Sequence, residues 1–148
     1  IVGDVKNPGV YELSGELSVK QVLEQTKNYP DFKFYTQVGG GASGTILLSS
    51  ELTIPAQGSA SIVVYNQAKT DPYELMEKWI KFFMAENCDK CTPCREGTYR
   101  LAEMIKNKQI DKEHFEDLLF TLENTSFCAL GKMVVAPFRT LADKILKL

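Results

Sequence analysis

The chain has 148 residues, 44% hydrophobic and 24% charged, enough apolar material to bury a core and too much for a disordered or fibrous protein. Lys and Arg number 17 against 19 Asp and Glu, a net charge of −2 with one excess acid on each side of Thr70, so no basic face for nucleic acid is implied. The longest uninterrupted apolar stretch, 133–138, contains Pro137 and falls far short of the roughly 20 residues of a membrane span, so no direct membrane insertion is expected.

In chain order, residues 3–13 contain a Lys6-Asn7-Pro8-Gly9 turn followed by alternating Val10 and Glu12, which predicts a β-hairpin. Ser18 reads as a helix cap. Behind it Val19, Val22 and Leu23 share one side, predicting a two-turn helix over 19–25. Residues 32–38, 45–48 and 61–65 are rich in β-branched and aromatic side chains between Gly- or Pro-containing turns, and read as strands. The first half is expected to be a small α+β unit ending near Asn66.

Helical signals then take over. Asp71-Pro72-Tyr73-Glu74 supplies a cap, a proline at the first helical position and a Glu at the capping-box position. Met76, Trp79, Ile80 and Phe83 keep helical spacing behind it. A second helix is predicted from Thr92-Pro93, with Thr98, Leu101, Ala102 and Ile105 inward, and a third after Asp111, with Phe115, Leu118, Leu119 and Leu122. A fourth should run from about Cys128 to the end of the chain, with Val134, Phe138, Leu141, Ile145 and Leu148 on one stripe. Four amphipathic helices predict a bundle, with Pro137 bending or resetting the last of them.

All four cysteines lie between positions 88 and 128. Cys88, Cys91 and Cys94 are too clustered to staple a fold and no export signal is visible, so a reduced, cytoplasmic thiol site is expected. Ligands at consecutive x2 intervals can wrap three corners of an iron–sulfur cubane, and Cys128, after 33 intervening residues, can close the fourth. Tetrahedral zinc is the competitor, although zinc sites usually draw two ligands from each of two knuckles. His114 sits beside Glu113 and near Glu116 in the first turn of a charged helix, and reads as a solvated residue rather than a ligand. Pro93 at a helix start turns first-turn amides toward the sulfurs and Arg95 adds positive charge; both favour a reduced cluster. Alternatively, Arg95 pairs with Glu96 or Glu103 on the surface.

Gly39-Gly40-Gly41-Ala42-Ser43-Gly44 satisfies the dinucleotide-binding pattern and follows a predicted strand. That site needs a helix N-terminus next, whereas Thr45-Ile46-Leu47-Leu48 is strand-like, and no acidic residue stands about 20 positions on. The segment reads as a glycine turn.

The run Glu86-Asn87-Cys88-Asp89-Lys90-Cys91-Thr92-Pro93-Cys94-Arg95-Glu96-Gly97-Thr98, with Phe127-Cys128-Ala129-Leu130-Gly131, resembles the flavoprotein subunit of NADH dehydrogenases. That family includes the NADH-binding subunit of respiratory complex I and related subunits of NAD-linked hydrogenases and formate dehydrogenases. Gly3-Asp4-Val5-Lys6-Asn7-Pro8-Gly9-Val10-Tyr11-Glu12-Leu13 resembles the opening of its β-grasp-like SLBB domain. The likeness departs from the family at two points: the segment from Cys94 to Cys128 is shorter than usual, and Lys132 stands where an acid is common.

The resemblance implies an α+β chain with an SLBB domain over 1–66 and a four-helix bundle over 67–148 that carries a [4Fe–4S] cluster. Cys88, Cys91, Cys94 and Cys128 carry over as its ligands, taking single electrons from FMN and passing them to a partner iron–sulfur subunit of an NADH-oxidising complex. The FMN- and NADH-binding domain is absent from these 148 residues, and the missing initiator Met agrees with a fragment. The implied location is cytoplasmic, peripheral on the inner face of a membrane complex. With no nucleophile–base pair or acid–base dyad, the chain is not expected to be catalytic alone. The alternative is a module that binds a soluble ligand or a protein, its bundle held by a structural zinc.

Overall fold

In the computed structural model, which describes residues 1–56 and 61–148, the β-branched and aromatic segments build one four-stranded sheet. Its strands are β1 (Val2–Gly3), β2 (Phe34–Val38), β3 (Thr45–Leu48) and β4 (Ile62–Asn66), in the order β1-β4-β2-β3. β2 runs antiparallel to both β3 and β4, whereas β1 lies parallel to β4. Helix α1 (Val19–Gln25) begins at a closed capping box: Gln21 N–H donates to Ser18 Oγ (3.2 Å) and Ser18 N–H to Gln21 Oε1 (2.9 Å). Its Val19, Val22 and Leu23 pack against Phe34, Val38, Leu47, Ile62 and Val64, each such side chain contributing roughly 1.5–3 kcal/mol on full burial. Residues 39–44 form the β2–β3 turn, with Gly39 and Gly40 at φ +105° and +132° and Gly44 N–H donating to Gly40 O.

The hairpin expected over residues 3–13 does not form. Gly3 turns the chain onto β4 at φ +94°, so close to Val64 that a side chain would collide with its carbonyl. Beyond the turn, Asn28 holds Asn7 from both sides, accepting from Asn7 N–H at 2.7 Å and donating to Asn7 O at 2.8 Å. The buried Asn28 thus takes the hydrogen bonds that a second hairpin strand would have used, and Val10 is left exposed.

Ile1–Thr70 forms one unit and Asp71–Leu148 the other. Residues 67–70 are tied to the first by Gln67 N–H to Lys33 O and by Lys69 and Thr70 N–H to Asn66 O. In the second unit, α2 (Pro72–Ala85) starts where Asp71 accepts from Tyr73 N–H (2.8 Å) and meets Lys108 Nζ (3.1 Å). Helix α3 (Thr92–Lys106) packs between α2 and α4 (Lys112–Thr125). Trp79, Ile80, Leu101, Phe115, Leu119 and Leu122 are buried, while Ala102 and Leu118, both expected inward, are half-buried.

The last helix is not continuous. It divides into α5 (Ala129–Met133) and α6 (Val135–Leu141), followed by a π-helical turn over Ala142–Leu146. The break falls four residues before Pro137 because a proline ring clashes with the carbonyl of residue i−4, here Met133. Val134, Phe138 and Leu141 still face inward, Phe138 edge-on to Trp79 at 5.7 Å. Arg139 anchors α6 to α4 through Glu116 (3.0 Å) and Glu123 (3.1 Å). Among the described residues no helix is long and apolar enough to cross a membrane.

Candidate metal centre

Cys88 lies in the short segment between α2 and α3, and local hydrogen bonds shape that segment. Asp89 N–H donates to Asn87 Oδ1 (3.0 Å), allowing Asp89 its left-handed φ of +58°, and Arg95 Nη1 reaches back from α3 to Asp89 O (3.1 Å). Arg95 also pairs with Glu96 (3.0 Å). The two readings of this arginine therefore coincide: it is partnered on the surface and still lies near enough to Cys91 to lower that thiol's pKa.

Cys91 caps α3 with extended backbone angles, and its carbonyl accepts from Arg95 N–H (3.1 Å). Pro93 follows at the helix start, where its missing donor costs nothing. Cys94 sits one turn in, with its carbonyl accepting from the buried Thr98 hydroxyl at 2.8 Å. Cys128 takes the corresponding cap position before α5. Cys91 and Cys94 are buried, while Cys88 and Cys128 are exposed.

The electrostatics join the two segments. Backbone N–H groups of Phe127, then of Cys94, hold the Cys91 thiol below its ordinary pKa, so the loop before Cys128 lies directly against Cys91. Cys94 moves the other way: burial raises its thiol pKa first, followed by the negative charge of Cys91, Cys128, Cys88 and Asp89. Cys94 thus lies within electrostatic range of the other three cysteines. Four sulfurs ionised together repel, and coordination to a cation both deprotonates and neutralises them.

Packing supports the same arrangement. Gly131 in α5 is buried, and a Cβ there would run into Ser126 Oγ, with Ser126 Cβ at 2.7 Å and Cys94 Cβ at 3.3 Å. The Ser126 hydroxyl is buried with no hydrogen-bond partner among the described residues. A soft donor set of four cysteines, backbone donors turned to one sulfur and an orphaned hydroxyl that borders the Gly131 position with Cys94 make an environment that fits a sulfur-ligated metal group.

Ligands of one tetrahedral zinc at about 2.3 Å stand only about 3.8 Å apart. Among the described residues no group of three or more His, Cys, Asp or Glu side chains is placed to hold a metal ion. A cubane spreads its four thiolates over four irons, so its ligands stand further apart.

His114 stays outside this group, exposed on the first turn of α4 with Nδ1 2.8 Å from Asp111. Ser126 and Gly131 carry no ligand chemistry and escape a motif reading. Their sequence signal is positional: a small hydroxyl two residues before Cys128 and a glycine three after it.

Residues 74–145 match the family described as the NADH-ubiquinone oxidoreductase-F iron-sulfur binding region. Across 87% of its length the chain is 32% identical to an F-type NADH-quinone oxidoreductase protein of Rhizobium meliloti, covering 35% of that protein. It is 28% identical over 97% of its length to the NADP-reducing hydrogenase subunit HndC of Solidesulfovibrio fructosivorans, covering 33% of it. Among solved structures, an NAD+-reducing [NiFe]-hydrogenase in the H2-reduced state superimposes with a TM-score of 0.84 at 27% identity, over 95% of this chain and 27% of that one. The chain spans about one third of the length of the curated relatives it matches.

Proposed function

We propose that this chain, whose residues 74–145 belong to the NADH-ubiquinone oxidoreductase-F iron-sulfur binding family, is the electron-transfer part of an NADH-linked oxidoreductase subunit. Cys88, Cys91, Cys94 and Cys128 are the four ligands of a [4Fe–4S] cluster in this reading. The observation that carries it is that the segment around Cys128 packs on the start of α3, with the Gly131 position against Cys94 and Cys94 in electrostatic range of the other three thiols. When bound, the cluster supplies one-electron storage and transfer.

The chain's own residues hold and orient that site. Helix α3 presents Cys91 and Cys94 in and before its first turn, where the partial positive charge of the helix end favours anionic sulfur. Arg95 fixes the Cys88 segment through Asp89 O, and the Phe127 amide faces Cys91. Exposure of Cys88 and Cys128 leaves one side of the site open to a partner.

FMN and NADH are assigned to the part of the subunit that precedes these residues, and the partners to other subunits of an NADH-oxidising complex, with an iron–sulfur protein as acceptor. The first unit, which extends to Thr70 rather than ending at residue 66, is read as the SLBB domain and the second, from Asp71, as the cluster-binding helical domain, with no catalytic residue of their own. The location is cytoplasmic, peripheral on the inner face of a membrane complex. Anaerobic purification tests the core of the reading: a brown protein with about four irons and four sulfides per chain is expected. Stoichiometric zinc without sulfide would overturn it.

A further inference from the structure

Three hydroxyls on the helices of the second unit turn back to the preceding turn. Thr98 donates to Cys94 O, Thr125 to Thr121 O and Thr140 to Ala136 O. Ser126 does not. Its backbone N–H donates to Leu122 O (3.3 Å), but its Oγ is buried in a residue only 5% exposed and has no partner among the described residues. A buried hydroxyl donor is rarely left idle, and the group that would use it is usually one the protein binds.

The surroundings of Ser126 identify that group. The next residue, Phe127, turns its N–H to the Cys91 thiol. The residue after that is Cys128. Across α5, the place that a Gly131 side chain would fill is bordered by Ser126 Oγ on one side and Cys94 Cβ on the other. The hydroxyl, two residues before Cys128, therefore borders the Gly131 position together with Cys94, and a metal-bound thiolate or sulfide accepts a hydrogen bond that a neutral thiol accepts only weakly.

We infer that Ser126 donates its O–H to a sulfur of the group bound by the cysteines and thereby raises that group's reduction potential. This rests on the cluster reading above. Reduction adds negative charge to the sulfurs, so a donor aimed at them stabilises the reduced form more than the oxidised one. Ser126 acts through the sulfurs and is a positioning residue.

The experiment uses the 148-residue chain loaded anaerobically with iron and sulfide, in parent, Ser126→Ala and Ser126→Thr forms. Potentiometric titration followed by electron paramagnetic resonance should place the midpoint of Ser126→Ala more negative than the parent's, with Ser126→Thr, which keeps the donor, returning toward it. Transfer into D2O should shift Fe–S stretching bands in resonance Raman spectra more in the parent than in Ser126→Ala. A Ser126→Ala protein with a full cluster, an unchanged midpoint and an unchanged deuterium shift overturns the role of Ser126 alone. So does a Ser126→Ala protein that cannot hold a cluster while the other two can, because the hydroxyl would then be needed for retention rather than tuning. A parent chain that takes up neither iron nor sulfide overturns the cluster reading itself.

Discussion

Gly131→Ala tests whether the close seating of α5 on the first turn of α3 assembles the cysteine site. An added methyl would overlap Ser126 Oγ and stand 2.7 Å from Ser126 Cβ and 3.3 Å from Cys94 Cβ. Two of these atoms are β-carbons fixed by backbone, so relief requires α5 or the 126–128 loop to move. Overpacking of this kind costs about 1–3 kcal/mol, and the contacts here argue for the upper half of that range. Replacing glycine by alanine inside a helix returns at most about 1 kcal/mol, leaving a net loss of about 1–2 kcal/mol. For a unit of this size that is a fall of roughly 5–15 °C in Tm.

Gly97→Ala is the matched control. The atoms nearest its methyl all belong to the Leu122 side chain, Cδ2 at 3.1 Å and Cγ at 3.2 Å, and a shift of a few tenths of an ångström in that side chain relieves them. The helix gain then offsets the clash and Gly97→Ala should stay within about 1 kcal/mol of the parent. Urea unfolding of the metal-free proteins measures both variants, and iron and sulfide analysis after anaerobic loading reads the site. Gly131→Ala should lose stability and cluster together. A Gly131→Ala protein as stable as Gly97→Ala and with parent iron content would refute the argument that this contact assembles the site.

Cys128→Ala should leave the stability of the metal-free chain nearly unchanged, because an exposed thiol is removed, yet abolish the rise in unfolding midpoint that loading with iron and sulfide gives the parent, since binding and folding are linked; unfolding curves with and without metal check this. Asp71→Ala should cost about 1 kcal/mol through the lost N-cap of α2, measured by denaturant titration near neutral pH. Hydrogen bonds from Lys108, then Tyr73, hold the folded Asp71 carboxyl below its ordinary value of 3.8, so its contribution is complete above that value and disappears as the pH falls through the lowered one. The difference between parent and Asp71→Ala should therefore close in strong acid, and one that persisted there unchanged would contradict the assignment.

Local chemistry was legible in the sequence because it is decided within four residues. Ser18 with Gln21, Asp71 with Pro72, and Asp111 ahead of Phe115 mark the starts of α1, α2 and α4, and each is a hydrogen bond or a backbone restraint between near neighbours. The β-branched and apolar composition of Thr45–Leu48 and the glycine turn before it placed β3 for the same reason. The spacing of Cys88, Cys91 and Cys94 is likewise a local fact, and it named the chemistry of the site. Tertiary structure decided what depends on distant partners. Gly3 chose Val64 and Asn7 chose Asn28, which removed a hairpin that the turn residues favoured. Which two thiols are buried, and which face outward, follows from how the loop before Cys128 meets α3. Ser126 and Gly131 acquire meaning only there, because a serine and a glycine bear no signature of a metal site until packing sets the glycine beside Cys94 and leaves the serine hydroxyl without a partner among the described residues.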